Sequence, residues 1–283
     1  MTNEANVSVE NKSKAKGSNV VSGIIIVICL IVGWAIWEFV MGAPANFENA
    51  QDIIENGAER GQPAQGSILG MIYKGGVVVP VLMGLLLMVL VFSIERLFVI
   101  SKASGKGNLD NFVNEVKSAV AAGDINAAID ACDKQQGSAA NAIRSALVKY
   151  QEVKREGFDS EQAEEAIQKE IEQATSLEMP MLEKNMTILA TLVSIGTLVG
   201  LLGTVTGMIK AFSGLATAGA PDSAALANGI SEALICTATG IGTSTLATIA
   251  YNYFNSKIDT LTYFVDEAGA AITQGYRRAR GNK

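Results

Sequence analysis

The sequence predicts an all-α integral membrane protein, with four transmembrane helices and long helices extending into a cytoplasmic helical domain. Three observations carry that prediction. Four apolar stretches each reach the roughly 20 residues a helix needs to cross about 30 Å of hydrocarbon. Hydrophobic residues make up 49% of the chain but aromatic ones only 6%, and the mean hydropathy is positive. Lysines and arginines fall at alternate ends of the stretches, as they do where basic residues stay in the cytoplasm.

The chain opens with a polar tail, residues 1–19, whose Lys12, Lys14 and Lys16 place it in the cytoplasm. Residues 20–42 form the first span. A signal peptide competes here, with a basic start and an Ala43-Pro44-Ala45 site. Its apolar run should be shorter, about 7–15 residues, and should not end in an interfacial pair such as Trp34 and Trp37, so a retained helix is expected. Residues 43–75 lean acidic through Glu48, Asp52, Glu55 and Glu59, and are expected in the periplasm with one short surface helix over 46–59. The second span, 76–100, tolerates Pro80 in its first turns. At its inner end Glu95 and Arg96 are expected to pair and reach the headgroups, with Lys102 and Lys106 close behind.

Residues 101–184 are the one sizeable soluble part. Apolar residues at helical spacing predict a helix over 108–123, ended by Gly123. Asp124 caps a helix over 125–135, and a third covers 139–155. Asp159-Ser-Glu-Gln162 reads as a capping box for a long polar helix that runs through Glu183. The third span is 185–212, a hinge around Gly219 and Pro221 occupies 213–224, and the fourth span is 225–256. The tail, 257–283, is expected to stay helical for a few turns and then become polar, with Arg277, Arg278 and Arg280. Both termini then lie in the cytoplasm.

The last two spans are not plain lipid-facing rods. Gly196, Gly200, Gly203 and Gly207 fall on one narrow face at about 100° per residue, and small residues on one face let membrane helices approach closely. Thr197 and Thr204 sit beside that face. Along the fourth span Glu232, Cys236, Thr239 and Thr243 form one polar stripe, and Thr237, Ser244 and Thr248 a second. Any single hydroxyl is explained by a bond to its own preceding turn. The carboxylate is harder to dismiss: at membrane depth it costs roughly 2.5–3.5 kcal/mol. Glu232 either snorkels to the interface, caps the helix start, or lines a wet path on which it exchanges protons.

Composition narrows the function classes. A net charge of −6 argues against a nucleic-acid partner. With no histidine, a His-based metal centre and Ser/Cys–His catalysis are both excluded within this chain. Cys29, Cys132 and Cys236 are scattered without metal or disulfide spacing. No catalytic residue, metal ligand or cofactor is expected.

The stretches LLGTVTGMIKAF (201–212), GISEAL (229–234), TATG (237–240) and YNYF (251–254), with their helix–hinge–helix order and the upstream PVLMGLLLMVLVFSIERLF, resemble the ExbB/TolQ/MotA proton-channel family, ExbB above all. The resemblance covers about residues 70–265 and leaves the first span outside. It implies a bacterial inner-membrane channel or stator subunit, assembled as a five-membered ring around an ExbD-like single-span partner with a membrane aspartate, and passing work to a TonB-like transducer. By motif position it implies that Thr204 and Thr237 face the partner's aspartate and that Glu232 lies toward the outer mouth. Thr197, Thr239, Thr243 and Ser244 are secondary pore-lining candidates. Many members carry a proline deep in the last helix where this chain has Leu246, amid hydroxyls that also suit sodium. A TolQ-like or gliding-motor channel, and a non-conducting scaffold, stand as alternatives.

Overall fold

The computed structural model describes residues 21–217 and 223–281; the expected N-terminal tail and the centre of the expected hinge, Gly219 to Asp222, lie outside the described residues. The described chain is almost wholly helical: α1 (Val21–Met41), α2 (Ala50–Asn56), α3 (Ile68–Tyr73), α4 (Val79–Ser104), α5 (Leu109–Ala121), α6 (Ile125–Gln135), α7 (Gly137–Glu156), α8 (Ser160–Glu183), α9 (Met186–Thr217) and α10 (Ser223–Gly281). Four of the helical runs are long and apolar enough to cross a membrane. The chain divides into two compact units. One takes the described residues up to Ser93 with Ile188–Ala250, the other Ile94–Thr187 with the described residues from Tyr251 onward.

In the first unit α1 lies against α4 at a contact with no room for side chains. A Cβ on Gly33 would stand 2.5 Å from the Gly84 nitrogen, so both backbones meet directly, as small residues permit in lipid. The far end of α1 is tied down by polar and aromatic groups. Arg60 donates to the Gly42 carbonyl at 2.7 Å and to the Glu38 carboxylate at 2.6 Å, and its guanidinium lies over the Tyr73 ring. The other face of Tyr73 is occupied by Trp37, stacked at a centroid distance of 4.5 Å. Burial among these groups pushes the Tyr73 phenol up. The intervening segment holds two short helices, α2 and α3, where one was expected. Of the expected 46–59, α2 covers only Ala50–Asn56, because Pro44–Asn46 winds as a separate 3₁₀ turn and Gly57 ends α2 in the left-handed region.

The second unit is a helical layer whose caps follow the sequence. Asn108 accepts from the Asp110 amide, Asp124 from Ala127 and Asp159 from Gln162, each satisfying donors that the first helical turn leaves open. Apolar faces of α5 (Phe112, Val113, Val116), α7 (Ile143, Leu147, Tyr150) and α8 (Ile167, Ile171) are buried. So are Phe264, Val265, Ala268, Ile272 and Tyr276 of α10. The tail therefore departs from expectation. Instead of fraying after a few turns, the helix runs unbroken to Gly281, because this apolar stripe packs: Gly269 meets Ile171, Gly275 meets Val120, and Tyr276 sits edge-on to Tyr150 at 5.0 Å. Arg277 closes the arrangement with a two-pronged bond to Glu164, holding that carboxyl below its ordinary range.

Arg96 also departs from expectation. It pairs with Glu95 as predicted, but it does not reach outward: its side chain is 1% exposed and donates to the Met181 and Leu182 carbonyls at 3.3 and 3.2 Å. Those carbonyls are among the four that the end of α8 leaves without intrahelical partners, so burying the guanidinium there satisfies both sides. Glu95 takes a further bond from the Asn185 amide at 3.2 Å.

Candidate functional site

Within the first unit, α9 and α10 pack along a seam made by the four glycines of α9. A Cβ on Gly196 would meet the Ser244 hydroxyl at 2.6 Å, one on Gly200 the Gly240 Cα at 3.0 Å, one on Gly203 the Cys236 Cβ at 2.3 Å, and one on Gly207 the Gly229 carbonyl at 2.8 Å. From the other side, a Cβ on Gly240 would press on the Gly196 carbonyl at 2.7 Å. The seam holds the polar side chains of α10 at fixed depths along α9.

Glu232 sits near the start of that seam, 9% exposed. Its carboxylate is bound by Lys210 of α9, with nitrogen and oxygen 2.5 Å apart; the lysine side chain is 53% exposed while the glutamate's is 12%. The opposite wall is backbone. Gly76 adopts φ +75°, and a Cβ there would fall 2.2 Å from the Glu232 carboxylate oxygen, so the entry to α4 presses a bare glycine against the acid. One turn on, the Cys236 thiol donates to the Gly75 carbonyl at 3.0 Å. One of the sequence alternatives for Glu232 is thereby decided: it does not cap α10, which begins nine residues earlier at Ser223.

The hydroxyls divide into two sets. Thr197 reaches across the seam and donates to Ser244 at 2.8 Å, and Thr237 points at the Gly200 carbonyl at 3.5 Å, a long and weak contact. The others bond within their own helix: Thr204 to Leu201, Thr239 to Ile235 and Thr243 to Thr239, with Thr245 and Thr248 doing the same further along. Thr243 and Ser244 are buried, Thr204, Thr237 and Thr239 half-buried, and Thr197 exposed. Among the described residues Thr204 and Thr237 share no hydrogen bond. Thr204 instead lies on an exposed apolar face of α9 with Val205, Met208, Ile209 and Phe212. No cluster of three or more metal-ligating side chains forms among the described residues.

The sequence reading passed over Lys210. Its signal was available: a lone cation near the end of an otherwise uncharged stretch of α9, facing the lone acid of the next span. Gly75-Gly76 was passed over too, since a glycine pair at a helix start reads as an ordinary turn.

Comparison with known proteins accords with this geometry. Residues 135–267, which include the seam, the Lys210–Glu232 pair and the hydroxyls of α10, match the MotA/TolQ/ExbB proton channel family. The chain is 38% identical over 120 residues to the Tol-Pal system protein TolQ of Pseudomonas aeruginosa, covering 41% of this chain and 52% of that one. It is 32% identical over 110 residues to the putative biopolymer transport protein ExbB-like 3 of Synechocystis, covering 38% and 52%. It is 36% identical over 96 residues to the biopolymer transport protein ExbB of Xanthomonas campestris pv. campestris, covering 34% and 38%. The match spans about half the length of the first two relatives. The chain is thus a multi-pass membrane protein that carries, at residues 135–267, a domain of the MotA/TolQ/ExbB proton channel family.

Proposed function

We propose that this chain is the channel-forming, stator-like subunit of a complex in the bacterial inner membrane, driven by the ion gradient and energising TonB-dependent transport across the outer membrane. The observation that carries the reading is the membrane-depth arrangement of α9 and α10: a glycine seam that fixes Glu232, paired with Lys210, in line with two rows of hydroxyls. Helix packing alone needs no ion pair in such a place, and an acid there is costly unless something uses it. Five copies form the ring, both termini lie in the cytoplasm, and an ExbD-like single-span helix occupies the centre. The exposed apolar face of α9 beside Thr204 suits packing against such a helix, with Thr204 and Thr237 facing its aspartate. Glu232 meets the ion at the outer mouth, where Lys210 sets the local field. Each charge that crosses releases roughly 2.3 kcal/mol per 100 mV, which moves the central helix and passes to a TonB-like protein.

The relatives named TolQ favour one second reading, the same channel serving a TolQ-like machine. Reconstitution with the adjacent single-span partner in liposomes under a pH gradient tests the channel. Flux should fall in Glu232→Ala and Thr237→Val. Equal flux in all variants with the complex intact would leave a non-conducting scaffold. Replacing sodium with potassium outside identifies the ion, and complementation of strains lacking either machine separates the ExbB-like from the TolQ-like role.

A further inference from the structure

In the second unit a pocket of ≈ 730 Å³ opens beside the end of α4, where Lys102 and Lys106 line it together with Lys184, Ser138 and Asn141. Four cations border it, Arg96, Lys102, Lys106 and Lys184, against two acids, Glu95 and Glu178. The acids are engaged. Glu95 is bound by Arg96 and Asn185, and Glu178 accepts from the Asn141 amide at 3.4 Å. Lys102 and Lys106 form no ion pair among the described residues, so the pocket carries uncompensated positive charge. Ser138, 5% exposed, adds a hydroxyl to its wall.

The wall is rigid. Gly105 has φ +78° and a Cβ there would lie 2.0 Å from the Gln136 carbonyl; Gly137 has φ +88° and its Cβ would lie 2.4 Å from the Ala103 carbonyl. The Lys106 amide donates to Gln135 at 2.6 Å, and the Gln135 side chain returns a bond to Ser104 at 2.9 Å. The turn that follows α4 and carries Lys106 is therefore locked onto the α6–α7 junction, which pre-pays the ordering that binding otherwise costs.

The position along the chain says what the ligand is. Lys102 follows the last apolar turn of α4, and Lys184 immediately precedes the apolar run of α9. Both stand where a membrane helix meets the phosphate layer. We infer that this pocket holds the phosphate headgroup of an anionic phospholipid such as phosphatidylglycerol. Basic pockets beside membrane helices on the cytoplasmic side recognise such headgroups, and each lysine near the surface strengthens binding roughly fivefold. The inference rests on the proposed topology only for the leaflet in which the lipid sits.

The test uses the full-length protein in a nonionic detergent and short-chain dihexanoyl phosphatidylglycerol, titrated calorimetrically. Dihexanoyl phosphatidylcholine and inorganic phosphate serve as the alternative probes. Phosphatidylglycerol should bind in preference to both. The triple variant K102Q/K106Q/K184Q should weaken that binding by about a hundredfold. Unchanged binding in the variant, or equal binding of phosphatidylcholine, overturns the site; inorganic phosphate binding as tightly as the lipid overturns the lipid assignment. Should the variant fail to fold, a photoreactive phosphatidylglycerol on the unmodified protein decides: cross-links at 95–106, 136–141 and 178–184 support the pocket, and cross-links elsewhere alone overturn it. A failure of ion flux in liposomes leaves these readouts untouched, so the two ideas fall separately.

Discussion

Two glycines of α10, Gly240 and Gly242, stand two residues apart and make opposite predictions on substitution. A Cβ on Gly240 would lie 2.7 Å from the Gly196 carbonyl oxygen, 2.7 Å from the Gly200 Cα and 3.2 Å from the Gly200 nitrogen. All three obstacles are backbone, so no rotamer change relieves them. Restoring the ordinary separation of about 3.5–4.0 Å moves the helices apart by about 1 Å and loosens the neighbouring contacts with them. Around Gly242 nothing lies within 4 Å. Whatever a methyl group does to helix propensity is common to Gly240→Ala and Gly242→Ala, so the difference between them isolates the steric term. Overpacking a close contact costs about 1–3 kcal/mol, and Gly240→Ala should be the less stable variant by that amount. The assay is sodium dodecyl sulfate unfolding of the full-length protein in mixed micelles, followed by far-ultraviolet circular dichroism. Coincident curves for the two variants, or an earlier transition in Gly242→Ala, would refute the seam.

Four further outcomes are expected. Lys210→Met leaves Glu232 buried without its partner and should cost roughly 1–3 kcal/mol in the same unfolding assay, most of it recovered when Glu232→Gln is added. Gly76→Ala should destabilise through both its φ of +75° and the 2.2 Å approach to Glu232, with Glu232→Ala acting as a partial suppressor; independent, additive effects would count against the contact. Burial pushes the Cys132 thiol up to about 12, so maleimide should leave it unlabelled in the folded protein at pH 8 and label it on unfolding; rapid native labelling would contradict its packing. Arg277 holds the Glu164 carboxyl below its ordinary value of 4.5, so the contribution of that pair is complete at neutral pH and lost as pH falls through the lowered value. Hydrogen-exchange protection factors near the end of α10, taken relative to the intrinsic rate at each pH, should fall on acidification, and Glu164→Gln should show the lowered protection at pH 7.

Much of the helical architecture was legible because its signals are local. Asp124 and Asp159 announce helix starts by side-chain chemistry alone, and the helix expected over 125–135 lies at Ile125–Gln135. The four apolar stretches are a matter of length and composition. What escaped depends on partners distant in sequence. Arg96 reads as an interfacial cation until Met181 and Leu182, 85 and 86 residues away, present their carbonyls. The end of α10 looks like a polar tail because Arg277 and Arg278 dominate its composition, whereas Ile272 and Tyr276 acquire meaning only against α5 and α7. At the candidate site Glu232 was conspicuous as an acid in an apolar run. Its neighbours were not: Lys210 is 22 residues away, and Gly76 contributes by having no side chain.

The threonines of α10 have a consequence for charge selection. Thr239, Thr243, Thr245 and Thr248 each spend their one hydroxyl proton on the carbonyl four residues back. A hydroxyl so committed retains lone pairs but has no proton left to offer. On the proposed ion path such a hydroxyl offers electron-rich oxygen, which solvates hydronium or a small metal cation and gives chloride nothing to bind. In the proposed channel, discrimination by sign is thus a property of the helix's own backbone bonding.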